Sequence, residues 1–125
     1  MVLVDTSVWI RFLANRAPYA VALDELLGRD EVAGHEFVYG ELLVGDRGGR
    51  KKLLAGYEQM HQASVVPHRD VVAFVHARNL LGRGVGWIDI HLLASAIVER
   101  MSVWTADSRL SAVARDLGIA FEPIA

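Results

Sequence analysis

Two hydrophobic patterns alternate along the chain. Short apolar runs, "VLVD", "EVAG", "SVVP", "SVWTAD" and "IAFEPI", have the length and β-branched content of buried strands. Between them, apolar residues recur at helical spacing. "TSVWIRFLA" follows the first strand through two hydroxyls able to cap it. "PYAVALDELLGR" has Pro18 at its start and Gly28 near its end, and "HEFVYGELLVG" stops at Gly45. "GGRKKLLAGYEQMHQ", "HRDVVAFVHARNLLGRG" and "SRLSAVARDLG" read as further helices. "WIDIHLLASAIVERM" is apolar over most of its surface and is expected at the centre. Strands alternating with helices predict an α/β fold of three α/β/α layers, with a central parallel sheet of four to five strands. In such sheets a ligand site forms beyond the carboxyl ends of the strands, where Asp5 and Asp107 both fall.

At 125 residues and 53 % hydrophobic content the chain can bury one core, so residues 1–125 are expected to form a single domain. Apolar stretches are broken by Asp, Glu, His or Arg well before the ~18 residues that a membrane span needs. Asp5 also interrupts the N-terminal apolar run, which argues against a signal peptide. The absence of cysteine excludes disulfides, thiolate zinc sites and thiol nucleophiles, and is compatible with a reducing cytoplasm. A net charge of −2 gives no global attraction to nucleic acid, so any such binding requires charges sorted locally.

The acids carry the chemistry. Asp5, Asp89 and Asp107 can each be explained singly as helix caps. Glu41 has Phe37, Val38, Val44 and Gly45 as its helical neighbours, which places it on an apolar stripe where an unpaired carboxylate is costly. Taken together, Asp5, Glu41, Asp89 and Asp107 are brought by two strand ends and two helices to the edge where a parallel sheet converges. Such acids stay ionised together only beside cations. An oxygen-only donor set selects Mg²⁺ or Mn²⁺ over zinc, and that chemistry suits phosphoryl transfer.

In order along the chain, "VLVDTSVWI", "GELLVG", "GWIDIHLLASA" and "VWTADSRL" resemble the four acidic motifs of PIN-domain ribonucleases, and more narrowly those of VapC toxins from toxin–antitoxin pairs. The resemblance implies a metal-dependent endoribonuclease using Mg²⁺, for which Mn²⁺ can substitute. It implies Asp5, Glu41, Asp89 and Asp107 as catalytic, metal-holding acids, with Thr6, Ser7 and Thr105 orienting them. It further implies a homodimer, inhibition by a VapB-like antitoxin, and a transfer- or ribosomal-RNA class of substrate cut to 5′-phosphate and 3′-hydroxyl ends.

Arg47, Arg50, Lys51 and Lys52 in "DRGGRKK" stand where cations oppose a helix dipole. They are candidate RNA contacts, with a solvated loop as the alternative. His91, two residues beyond Asp89, is expected to be structural or partner-facing rather than a ligand. The face of Trp9, Phe12 and Leu13 is expected to be mostly core, with part left open for an antitoxin. A receiver domain would need paired acids after the first strand and a late lysine, but no lysine follows Lys52. A haloacid-type phosphatase would need an acid where Ser7 stands. A PIN-like protein that binds RNA or a partner without cleaving remains the alternative.

Overall fold

Val2, Leu3 and Val4 are all buried. Because alternate strand residues point to opposite faces, both sides of this strand are covered. In the computed structural model, which describes residues 1–123, it forms strand β1 (Val2–Val4), the centre of a parallel sheet. Strand β2 (Val32–Ala33) pairs with one edge of β1, Val2 opposite Val32 and Leu3 opposite Ala33. Strand β3 (Ser102–Trp104) pairs with the other, running from Val2 opposite Ser102 to Val4 opposite Trp104. The order β2-β1-β3 means that the chain leaves β1 first to one side and later to the other. The crevice at the β1/β3 carboxyl edge is therefore the topological switch point.

The described sheet has three strands, not the four to five expected. "SVVP" forms no ladder; the chain touches the sheet just before it, through a single bridge from Gln62 to Gly34. "IAFEPI" is reduced to a bridge between Ala120 and Val103, and its Ile124 lies outside the described residues. Both segments have strand-like composition, but each runs beside an edge for too few residues to build a ladder. Gly34 shows how close that approach is: a Cβ there would lie 2.5 Å from Gln62 Nε2 and 2.9 Å from Tyr57 Cε1.

The helices follow the sequence pattern closely. They are α1 (Thr6–Leu13), α2 (Tyr19–Gly28), α3 (Glu36–Val44), α4 (Lys51–Gln59), α5 (His68–Ala77), α6 (Trp87–Glu99) and α7 (Ser108–Asp116). Helix α6 is central as expected, with every residue from Ile90 to Ala96 buried. Helix α5 ends earlier than the glycines of "LLGRG" suggested. Asn79 adopts the left-handed conformation (φ 52°), and Leu80 N–H turns back to the Val75 carbonyl, a terminus that asparagine supports as glycine does.

His35 joins three of these parts from a fully buried position before α3. Its Nδ1 accepts the Phe37 N–H at 3.0 Å, so Nε2 carries the proton and donates to Ser95 Oγ on α6, also at 3.0 Å. The Ser95 hydroxyl donates to the Ser64 carbonyl at 2.7 Å, and the His35 backbone N–H donates to the Tyr57 hydroxyl at 2.8 Å. Desolvation, reinforced by His91, lowers the His35 pKa from 6.5 to about 4.

A histidine held neutral in the fold but protonated in the unfolded chain contributes stability above pH 6.5 that is lost as pH falls toward 4. The loss attributable to His35 is up to about 3 kcal/mol. His35→Gln is expected to be less stable at neutral pH and to show a flatter pH dependence across this window in urea denaturation. An unchanged slope would show that His35 does not titrate differently on folding.

Candidate functional site

Asp5 is the residue at which β1 ends, and its carboxylate is buried. Its backbone begins α1: the carbonyl accepts Val8 N–H at 3.1 Å, while the side chain caps nothing. Asp5 N–H donates to the Trp104 carbonyl at 2.9 Å and so continues the β1–β3 ladder. The carboxylate is answered by hydroxyls. Ser7 Oγ donates to Asp5 Oδ2 at 2.6 Å and Thr105 Oγ1 donates to the same oxygen at 2.8 Å. Each hydroxyl has one proton, and both protons are on Asp5, so the 3.2 Å Ser7–Thr105 contact carries none. Their oxygens then accept backbone N–H groups beyond β3, Ala106 to Ser7 and Asp107 to Thr105, both at 3.0 Å. One buried carboxylate thus fixes the β3–α7 turn against the start of α1.

That turn presents Asp107, which is exposed. Its Oδ1 caps α7, accepting the Arg109 and Leu110 N–H groups at 2.9 and 3.0 Å. Capping therefore accounts for one oxygen of Asp107 and for neither oxygen of Asp5. Asp89 is in the first turn of α6 and half-buried; Gly86, not Asp89, is the cap residue. Glu41 comes from α3, and its Oε1 accepts the Thr6 hydroxyl at 2.7 Å.

The expectation that Glu41 lies on a buried stripe is not met, because Glu41 is exposed. The core face of α3 is Val38 and Leu42. The residues flanking Glu41, among them Phe37, Gly40 and Val44, line an open groove of about 590 Å³ closed on its far side by Ile88. Helical spacing identified an apolar face correctly but could not say which of two apolar faces met the core.

The electrostatics bring the four acids together. Burial first, and then the charges of Asp5, Glu41 and Asp107 in that order of size, together raise the Asp89 pKa from 3.8 to about 6, partly offset by the Gly86 backbone. Each of the other three carboxylates is thus near enough to oppose ionisation of the fourth. The side chains as they stand do not close around an ion: among the described residues, no three carboxylate or imidazole groups form a ready cage. The donor set nevertheless fits a hard divalent cation. It is oxygen-only, and its mutual repulsion is what such a cation relieves.

Other candidates divide. Arg47, Lys51 and Lys52 are exposed, but Arg50 is half-buried and donates from Nη1 to the Leu42 carbonyl at 2.9 Å, satisfying the end of α3. His91 is buried and meets Phe37 and Trp87 edge-on, with Nδ1 unpartnered, a packing role of the kind expected for it. Trp9 is core, whereas Leu13, at 40 % exposure, remains open together with Ile10 and Val21. His35 is the polar residue that sequence reasoning missed. A histidine before a helix carries no strong capping signal, and its partner Ser95 lies on another helix.

For metal-free protein the sign at Asp89 is opposite to that at His35. A carboxyl whose pKa rises on folding stabilises the fold when protonated, and this contribution is lost as pH climbs from about 4 through about 6. In EDTA, Asp89→Asn is expected to unfold at higher denaturant than the parent above pH 6 and to match it near pH 4. Added Mg²⁺ should stabilise the parent more than the variant. Equal midpoints at both pH values would show that Asp89 is not under this strain.

The PIN-domain family model matches residues 2–116, from the first residue of β1 to the last of α7. The chain is also similar to Ribonuclease VapC32 of Mycobacterium tuberculosis strain CDC 1551 / Oshkosh and to Ribonuclease VapC32 of strain ATCC 25618 / H37Rv. Each is 44 % identical over 121 residues, which cover 96 % of this chain and 95 % of the relative. The family match spans every strand and helix that contributes one of the four acids, the relatives match over nearly the whole chain, and on that footing the chain belongs to the PIN-domain family, among its VapC-like members.

Proposed function

We propose that this chain is an endoribonuclease that hydrolyses RNA phosphodiester bonds with Mg²⁺, or Mn²⁺ in its place. The observation carrying this reading is the shared field at the switch point, where the charges of Asp5, Glu41 and Asp107 all bear on Asp89. Asp5, Glu41, Asp89 and Asp107 would hold the cation, which when bound offsets phosphate charge and makes water a better nucleophile at neutral pH. Ser7 and Thr105 keep the Asp5 carboxylate in one orientation by engaging Oδ2, and Thr6 does the same for Glu41 through Oε1. Exposure of Glu41 and Asp107 leaves the edge open to a polymer. In the reaction, water oxygen bonds to phosphorus as the bond to the 3′ oxygen breaks, and the leaving oxygen gains a proton. The products are a 5′-phosphate and a 3′-hydroxyl. No 2′-hydroxyl takes part, so preference for RNA arises in binding.

The same reading makes the chain, as one PIN domain over residues 1–125, the toxic member of a toxin–antitoxin pair. Its substrates are of the transfer- or ribosomal-RNA class, and it acts in the cytoplasm as a homodimer neutralised by a VapB-like antitoxin. Among the described residues no helix is long and apolar enough to cross a membrane. The open apolar side chains Ile10, Leu13 and Val21 on α1 and α2 support a partner at that face. That both relatives are ribonucleases by name supports the activity.

Antitoxin-free protein is expected to cleave RNA in Mg²⁺ or Mn²⁺ and not in EDTA, with Asp5→Asn slower by at least about 100-fold. Retained RNA binding with no metal-dependent cleavage would replace this reading with that of a binding-only PIN relative. Ser7→Ala removes one of the two hydroxyls on Asp5 and is expected to cost about 10- to 100-fold in rate while the protein stays folded. Thr6→Val, which frees only the exposed Glu41, should cost less. A Ser7→Ala enzyme as fast as the parent would show that the hydroxyl has no positioning role.

A further inference from the structure

Several arginines of the protein already have partners. Arg11 donates from Nη1 to the Ser7 carbonyl at 2.9 Å and lies 5.5 Å from the centre of the Tyr19 ring. Arg83 pairs with Asp116 at 2.8 Å and Arg115 with Glu122 at 3.3 Å. Arg109 differs from them. It stands in the first turn of α7, two residues beyond Asp107, and is exposed. Among the described residues it makes no ion pair, although carboxylates surround the edge on which it sits.

A glycine defines its course. Gly84 has φ +79°, and a Cβ there would lie 3.0 Å from Arg109 Cδ and 3.2 Å from Nη1. The arginine therefore lies across backbone that a side chain at residue 84 would obstruct. That loop runs to Gly86, the residue from which α6 starts and carries Asp89. At its other end Arg109 is anchored by its own N–H on Asp107 Oδ1. The side chain thus spans from the helix bearing Asp107 to the loop that introduces Asp89. Helix stability does not explain it, because a cation in the first turn opposes the helix dipole. A polyanion approaching four carboxylates, by contrast, needs positive charge at the rim, and the planar guanidinium matches phosphate oxygens two at a time.

We propose that Arg109 binds a backbone phosphate of the RNA as the strand passes the acidic edge. This deepens the ribonuclease reading and rests on it. Arg109 is a substrate-binding residue; it adds to affinity in every sequence context because phosphates carry no base identity.

The test measures affinity rather than cleavage. In an Asp5→Asn background with Mg²⁺, a labelled single-stranded RNA oligonucleotide of mixed sequence is titrated by fluorescence anisotropy over a KCl series. Arg109→Ala is expected to weaken binding about 3- to 10-fold and to lower the slope of log Kd against log salt by about 0.7, the share of one single-strand phosphate contact. Arg109→Lys should keep most of the slope and recover part of the affinity. Arg115→Ala, on the same helix but paired with Glu122, should match the parent. Thermal melting checks each fold, and Arg109→Gln, which keeps the aliphatic stem, replaces the alanine variant if that one melts early. Parental affinity and slope in a folded Arg109→Ala or Arg109→Gln protein would overturn the proposal while leaving the ribonuclease reading intact. Failure of the Asp5→Asn parent itself to bind RNA would overturn both.

Discussion

The buried Asp5 carboxylate is the constraint on which the rest of the functional edge depends. A charged group at the end of a central, fully covered strand is costly unless hydrogen bonds answer it. Here two hydroxyls donate to one oxygen, and the oxygens of those hydroxyls accept backbone N–H groups of the β3–α7 turn. The arrangement is therefore a closed chain of donors and acceptors across three elements. A Ser7 or Thr105 displaced from it would leave an amide unsatisfied and Asp5 Oδ2 with one hydrogen bond in place of two.

That local satisfaction sits inside a wider conflict. The hydrogen bonds orient Asp5, Glu41 and Asp107 individually, yet their charges together make ionisation of Asp89 unfavourable. Under the proposed reading, stability and function pull against each other at this edge. The fold would be more comfortable with one acid fewer, whereas a divalent cation needs several oxygens at once. In the proposed ribonuclease that tension has a purpose, since the strain on the acids without a cation would be part of what favours holding one.

In the proposed ribonuclease, the same edge would meet a polyanion despite a net charge of −2. Positive charge is not spread generally but set at particular points. Arg50 is drawn back to the end of α3, while Arg109 is laid over Gly84 beside the acids. Neighbours in sequence such as Arg50 and Lys51 consequently have different environments, one half-buried on a carbonyl and the other in water.

The sequence by itself determined the α/β pattern, the helices and their order, the central place of α6, and the four acids that the edge gathers. These follow from hydrophobic period, helix-end chemistry and motif order, all local properties of the chain. Tertiary structure decided what local pattern does not encode. It held the sheet to three described strands, because "SVVP" and "IAFEPI" lie beside its edges for too few residues to pair. It turned the Glu41 face of α3 toward an open groove, since two apolar faces compete for the core and only packing chooses between them. Long-range hydrogen bonds, with partners 60 residues apart for His35 and Ser95 and 100 apart for Thr105 and Asp5, exist only once the chain has closed on itself.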